Sequence, residues 1–408
     1  MEKLALYGGT PVKTTPYGTG KRFGREELVN LEEALNQNSL FYWKGAMTTR
    51  FCEKFSRMYN TKYCVTTTSG TASIHVALGA LGVGPGDEVI TSPITDMGSL
   101  IGILYQNAVP VFADLDPHTY NMTAQSVAAK ITERTKAVVV VHLAGNAAEI
   151  DKIVEIARDR GIYVVEDCAQ SYCCRYKGKY AGTFGDIGCF SINDFKHISA
   201  GDGGMVITNN EELYHKALMF ADKNYNRLGE SVVKSVHQLA PNYRMNELTA
   251  AVGLAQLDRV EEICRKRNAF GDKLNAALQG IQGIYPHKIQ EGCQSSYWFY
   301  MLRVNEEELG TTRAEFVKAL AAEGLYVQEG YIACCVYQQE MFKNKTVYGK
   351  NCQYPLENME YKDGDCPVAE EILATAVKLP VSEFYTEQDL TDVVTAIKKV
   401  CAYYSSKK

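Results

Sequence analysis

YCVTTTSGTASIHVALGALGVGPGDEVIT, residues 63–91, contains a strand, a helix and a second strand in succession. Tyr63 to Thr67 is a short β-branched run. Ser69-Gly70-Thr71 interrupts it, and Ile74, Ala77, Leu78 and Leu81 then recur at helical spacing. Gly82 and the cluster Gly84-Pro85-Gly86-Asp87 break that helix, and Glu88 to Thr91 reads as the next strand. The alternation continues outward, with Leu100 to Tyr105 in a helix. Val109 to Ala113, Ala137 to Val141, Tyr163 to Glu166, Gly188 to Ser191 and Met205 to Thr208 read as strands. Short strands that are apolar on both faces and separated by helices predict an α/β fold with a mostly parallel sheet covered on both sides. Ligands on such sheets sit beyond the carboxyl ends of the strands, so the residues just after strands are where chemistry is expected.

Near residue 247 the pattern changes. Glu247 to Val260 reads as one long helix, followed by a charged helix carrying Arg265, Lys266 and Arg267. Tyr297 to Val304 reads as a strand, and Thr312 to Glu323 as a helix capped by Thr312. Thr386 to Lys399 reads as a last amphipathic helix, with Thr386 and Asp389 forming a variant capping box. The expected division is a large α/β domain over residues 1–258 and a smaller α+β domain over residues 259–408.

Composition narrows the class. The net charge of the 408-residue chain is -5, without the basic face of a nucleic-acid binder. Its 13 cysteines are odd in number, and none forms a Cys-x-x-Cys pair. The neighbours Cys173-Cys174 and Cys334-Cys335 have poor geometry for a metal or an ordinary disulfide, so reduced thiols and no metal are expected. The first residues lack the apolar core of a signal peptide. No apolar run approaches the roughly 20 residues of a membrane span. A cytoplasmic protein without membrane contact is the expectation.

Three segments carry candidate chemistry. Ser69-Gly70-Thr71 joins a strand to a helix N-terminus, where free N–H groups and the helix dipole favour an anion. Val164-Val165-Glu166-Asp167 delivers two carboxylates at a strand end, and alternation lets only one point into a site. A buried carboxylate there needs a cation or donor, and a protonated pyridine nitrogen is such a partner. Phe190 to His197 ends a strand and presents Lys196, ahead of Gly201-Asp202-Gly203-Gly204. A desolvated lysine loses its proton more easily and can form an imine. Read one at a time, these are a capped helix, a turn aspartate and a surface lysine.

Their order and spacing resemble the DegT/DnrJ/EryC1/StrS family. The likeness covers Ser-Gly-Thr, Glu-Asp-x-Ala-Gln, Gly-Asp-Ile-Gly-Cys-Phe-Ser, the lysine and Gly-Asp-Gly-Gly, and extends from about Leu6 to Val400. It includes the connecting text at residues 81–90, Thr132 to Lys136 and His142-Leu143. The resemblance implies a fold-type I aminotransferase with pyridoxal phosphate held by Lys196 as a Schiff base. Lys196 would shuttle the proton, Asp167 would pair with the ring nitrogen, and Gln170 would lie near the ring hydroxyl. Gly70, Thr71 and Ser191 would bind the phosphate. Asn242 would reach the phosphate of a neighbouring subunit, which implies a homodimer with shared active sites.

One position departs from the family pattern. Where an aromatic side chain usually stacks on the ring, Pro93-Ile94-Thr95-Asp96 places Asp96, which cannot stack. Asp96, Trp43, Lys44 and His197 are candidate substrate contacts; Trp298 is another, with core packing the plainer role for the tryptophans. The implied reaction moves an amine from glutamate or glutamine to a keto sugar, with nucleotide linkage one form of that acceptor, or to a keto cyclitol. Dehydratase relatives carry histidine in place of the lysine, and Lys196 argues against that chemistry. A pyridoxal-phosphate-binding regulator without turnover is the rival of another class. A Rossmann nucleotide site lacks its Gly-x-Gly-x-x-Gly after the first strand.

Overall fold

The computed structural model describes residues 2–228, 232, 236–349 and 360–407. Its main sheet has seven strands. In chain order these are β1 (Tyr63–Thr67), β2 (Glu88–Thr91), β3 (Val109–Phe112), β4 (Thr135–Val141), β5 (Tyr163–Asp167), Ile187–Ser191 and Gly204–Thr208. Across the sheet the order is β1, 204–208, 187–191, β5, β4, β2, β3. Strand 204–208 runs antiparallel to both neighbours, and the remaining pairings are parallel. The predicted α/β sheet is therefore present.

Period-two alternation places apolar residues on both faces of this sheet. Val138 and Val140 of β4 enter one core with Phe51, Phe55 and Phe190. Ala137 and Val139 enter the other with Ile74, Leu78 and Phe220. Two helices start close to the strand ends that matter later. Helix α1 (Gly70–Ala80) follows β1, and Ser69 caps it by accepting from the Ala72 N–H at 3.0 Å. Helix α2 (Gly98–Tyr105) follows β2.

A second sheet joins 284–285, 299–304 and 376–380 in antiparallel order. Its outer face packs on the helices 260–278, 313–322 and 387–405 through Leu274, Phe316 and Ile397. Leu4 and Tyr17 from the start of the chain join the same core. Its inner face contributes Phe299, Met301 and Ala376 to the main core, which joins the two sheets. The cap of Thr312 on Glu315 and the capping box of Thr386 with Asp389 form as predicted.

The expected single helix from Glu247 to Val260 is two. The first ends at Gln256 and the second begins at Val260. The amides of Asp258 and Arg259 bond three residues back, at 3.2 and 3.1 Å, which closes the first helix. Arg259 turns away to pair with Glu27. Among the described residues no helix is long and apolar enough to cross a membrane.

Candidate active site

The end of β5 separates its two carboxylates as strand alternation requires. Glu166 is buried and points away from the site. It accepts from the amides of Gly182, Phe184 and Gly185, each at 2.7 Å. His142 Nε2 donates to the same carboxylate at 2.9 Å, because Nδ1 already accepts from the Ala148 N–H at 3.1 Å. This carboxylate is structural. Asp167 faces the other way. It accepts from the Ser99 hydroxyl at 2.6 Å and the Ala169 N–H at 3.0 Å, and Thr95 Oγ1 lies 2.7 Å from Ser99 Oγ.

Lys196 lies across from Asp167, on the loop after strand 187–191. Its ammonium is 3.9 Å from the centre of the Trp298 ring. Burial lowers the Lys196 pKa below the ordinary lysine value, against the charges of Asp167 and Asp96. Burial raises the Asp167 carboxyl above its ordinary value, against its two hydrogen bonds and the Lys196 charge. Both groups are pushed toward their neutral forms, as expected where two ionisable groups share a desolvated site. The loop is held from several sides. Arg22 donates to the carbonyls of Asp194 and Lys196, the latter at 2.6 Å. Trp298 Nε1 donates to the Phe195 carbonyl at 2.7 Å, and the Ser199 hydroxyl to Asp194 at 2.9 Å.

Ser191 and Gly70 meet beside this pair. A Cβ on Gly70 would stand 2.6 Å from Ser191 Cβ, so only glycine allows the approach. Within α1 the ladder begins with the Ser73 N–H bonding the Ser69 carbonyl at 3.0 Å. The Gly70 and Thr71 amides precede it and have no partner inside the helix, which makes this end an anion cradle. A Cβ on Gly98 would lie 2.6 Å from Thr71 Oγ1 and 3.0 Å from Asp96 Oδ1, so Thr71 and Asp96 converge where α2 starts. Asp96 is exposed and accepts the Gly98 N–H at 2.8 Å. Gln170 accepts from the Ala144 N–H at 2.9 Å and donates to the Tyr331 hydroxyl at 3.1 Å.

Lys196, Asp167, Gln170, Ser191, Gly70, Thr71 and Asp96 thus surround one region. Trp298, against the Lys196 ammonium, belongs with them; His197, Trp43, Lys44 and Asn242 lie elsewhere. His197 is fully buried, with Nε2 3.0 Å from the Ser296 carbonyl, beneath the loop rather than in its opening. Trp43 and Arg244 line a separate cavity of about 600 Å³ between the 47–59 helix, β1 and the 211–221 helix. Lys44 is exposed next to Trp43, and Asn242 is exposed two residues before Arg244. The sequence reading missed Ser99, Arg22 and Tyr331. Each comes from a segment remote in the chain from its partner, and no local pattern pointed to any of them.

Glu247 sets the loop that carries Trp43. It is fully buried and accepts from the Met47 N–H at 2.6 Å, the Thr48 N–H at 3.1 Å and the Thr48 hydroxyl at 2.6 Å. It therefore caps the 47–59 helix, whose own Ala46 has no capping side chain. Glu247→Ala is expected to cost about 2 kcal/mol, the upper end for a lost cap. A thermal melt will show this as a midpoint lower by several degrees; an unchanged midpoint would contradict the capping role.

Comparison with known proteins agrees with this geometry. The model of the DegT/DnrJ/EryC1/StrS aminotransferase family matches residues 21–398. GDP-perosamine synthase of Caulobacter vibrioides is 32% identical, over 87% of this chain and 90% of its own. A putative L-glutamine:3-amino-2,3-dideoxy-scyllo-inosose aminotransferase of Streptomyces kanamyceticus is 31% identical, over 98% of this chain and 97% of its own. Among solved structures, an aminotransferase from Psychrobacter cryohalolentis superposes with a TM-score of 0.85 at 28% identity, covering 95% of this chain and 100% of that one.

Proposed function

The chain belongs to the DegT/DnrJ/EryC1/StrS aminotransferase family and is a transaminase; from that premise we propose that it uses pyridoxal phosphate to move an amine from glutamate or glutamine to a keto sugar. The observation that carries this reading is the pair of Lys196 and Asp167, facing each other at the strand ends and both pushed toward neutrality. A nucleotide-linked keto sugar is the first acceptor class, as the likeness to GDP-perosamine synthase supports. A keto cyclitol is the second, from the likeness to the scyllo-inosose enzyme.

The residues fit the cofactor. Asp167 is a buried carboxylate whose contacts are one hydroxyl and one amide, and a protonated ring nitrogen completes it. The Gly70 and Thr71 amides and the Ser191 hydroxyl suit a phosphate, and Gln170 would lie near the ring hydroxyl. When bound, pyridoxal phosphate supplies an electron sink for the carbon that loses its proton. Lys196, whose pKa burial lowers, would take the proton from the substrate Cα and return it to C4′. Asp167 would hold the proton at the ring nitrogen, and the Ser99 hydroxyl fixes the orientation of its carboxylate. Trp298 and Arg22 fix the lysine loop so that the amine stays in reach.

Asn242 lies apart from Lys196 in the single chain, as suits a residue serving a second copy. We include in the proposal a cytoplasmic homodimer in which Asn242, with Trp43 and Lys44 beside it, reaches the partner's site. Asp96 is proposed to accept a hydroxyl of the acceptor, and His197 to support the loop from below. The test is the absorption spectrum of purified protein, with pyridoxal phosphate supplied, before and after glutamate and then glutamine. A visible band bleached by one of the two identifies the donor. A band that neither bleaches favours a binding protein without turnover, and no band at all overturns the cofactor.

A further inference from the structure

Lys378 is a half-buried cation on the second sheet to which the reading above gives no task. Along strand 376–380 the side chains alternate. Val377 and Leu379 enter the outer core, while Ala376 and Lys378 share the inner face that looks toward the main unit. On the neighbouring strand Phe299 and Met301 share that inner face, and Met301 is the register partner of Lys378. The Lys378 ammonium stands 5.4 Å from the Phe299 ring centre and 5.8 Å from that of Tyr331. Its hydrogen bond goes to a neutral group, Gln328 Oε1, at 2.8 Å. Among the described residues no carboxylate lies within ion-pair distance of it. A half-buried charge without a counter-ion is costly, and burial lowers the Lys378 pKa from its ordinary value.

Tyr331 connects this cation to the reaction site. Its hydroxyl accepts from Gln170 at 3.1 Å, and its ring meets that of Trp298 edge-on at 5.8 Å. One lysine sits over Trp298 and the other over Tyr331, and the two rings touch. We propose that Lys378 binds an anionic group of the substrate, a carboxylate or a phosphate, on the small-sheet wall of the site. The assignment rests on Lys196 being the reaction centre. The aromatic walls lower the local dielectric and strengthen a pair formed there. Asp96, on the α2 side, repels an anion and leaves the Lys378 side as the attractive one. The anion has two sources, the α-carboxylate of the amino donor or a phosphate of a nucleotide-linked acceptor.

The test uses holoenzyme of wild type, Lys378→Met, Lys378→Gln and Lys378→Arg. In one arm L-glutamate and L-glutamine are titrated alone, following the cofactor band. In the other, inorganic pyrophosphate binding is measured by calorimetry. If the anion is the donor carboxylate, Met and Gln weaken donor binding about 10- to 100-fold, the loss of a charged hydrogen bond, and Arg restores most of it. The limiting rate of bleaching stays near wild type. If the anion is an acceptor phosphate, donor titrations are unchanged and pyrophosphate binding weakens by the same factor. Unchanged binding of both in either folded neutral variant overturns the proposal. Failure of wild type to bleach would instead discredit the reading of Lys196, and the pyrophosphate arm would still test Lys378 by itself.

Discussion

Lys196→Ala is expected to lower transamination by about 10⁴-fold, the upper end for a positioned acid-base group, because the same amine also holds the cofactor. The chain should stay folded. The loop is built without the lysine side chain: the Lys196 N–H bonds the Asn193 carbonyl at 2.9 Å, and Arg22 takes the Lys196 carbonyl. Trp298 Nε1 and the Ser199 hydroxyl anchor it on either side. Truncation therefore removes the amine and leaves its surroundings in place. Two measurements check this. Steady-state turnover should fall to the detection limit, and the cofactor band should shift to that of unattached pyridoxal phosphate. Added methylamine, small enough for the vacated space over Trp298, should recover part of the rate. A variant keeping a tenth of wild-type turnover would move the proton-transfer role to another group.

Local patterning placed Asp167 and Lys196 just at or after strand ends, and the resemblance to a family singled them out. Both lie at the carboxyl ends of strands, and strands and their ends are set by local patterning. Alternation required that only one of Glu166 and Asp167 point into the site, whereas the close approach of Gly70 to Ser191 became visible only in the fold. Ser99, Arg22, Tyr331 and Lys378 were not legible. Ser99 reaches Asp167 across 68 positions of sequence and Arg22 reaches Lys196 across 174. Such contacts follow from tertiary packing, which periodicity does not encode. Lys378 shows the limit most clearly. The short segment 376–380 drew no strand assignment from sequence, and its lysine gains meaning only when the inner face of the sheet is seen turned toward Tyr331. The break at residues 257–259 was hidden for the opposite reason: the apolar residues of LTAAVGLAQLDRV recur at helical spacing throughout, and the pairing of Arg259 with Glu27 lies outside that local pattern.

Asp167→Asn is expected to reduce turnover by about 10²- to 10⁴-fold, from the 3–5 kcal/mol typical of removing one partner of a buried charge pair. The substitution is nearly isosteric. The introduced carboxamide keeps an acceptor for the Ala169 N–H, and the Ser99 hydroxyl can turn to accept from its NH₂ group. What is lost is the negative charge that holds a proton on the ring nitrogen. Stability should move the other way when the cofactor is absent. The folded pKa of Asp167 is raised, chiefly by burial. Its contribution to stability is thus full below the unfolded pKa and is lost as the pH rises through the folded one. Above that folded pKa the cofactor-free wild type carries a buried charge that Ser99, the Ala169 N–H and Lys196 offset only in part, and Asp167→Asn removes it. The cofactor-free variant should melt above wild type, and the gap should close as the pH is lowered toward the carboxyl range. With pyridoxal phosphate bound the order should reverse, because only the aspartate pairs with a protonated ring. If the variant melts below wild type in both states, Asp167 stabilises the fold rather than the cofactor. If its turnover is unchanged, the ring nitrogen needs no counter-ion here.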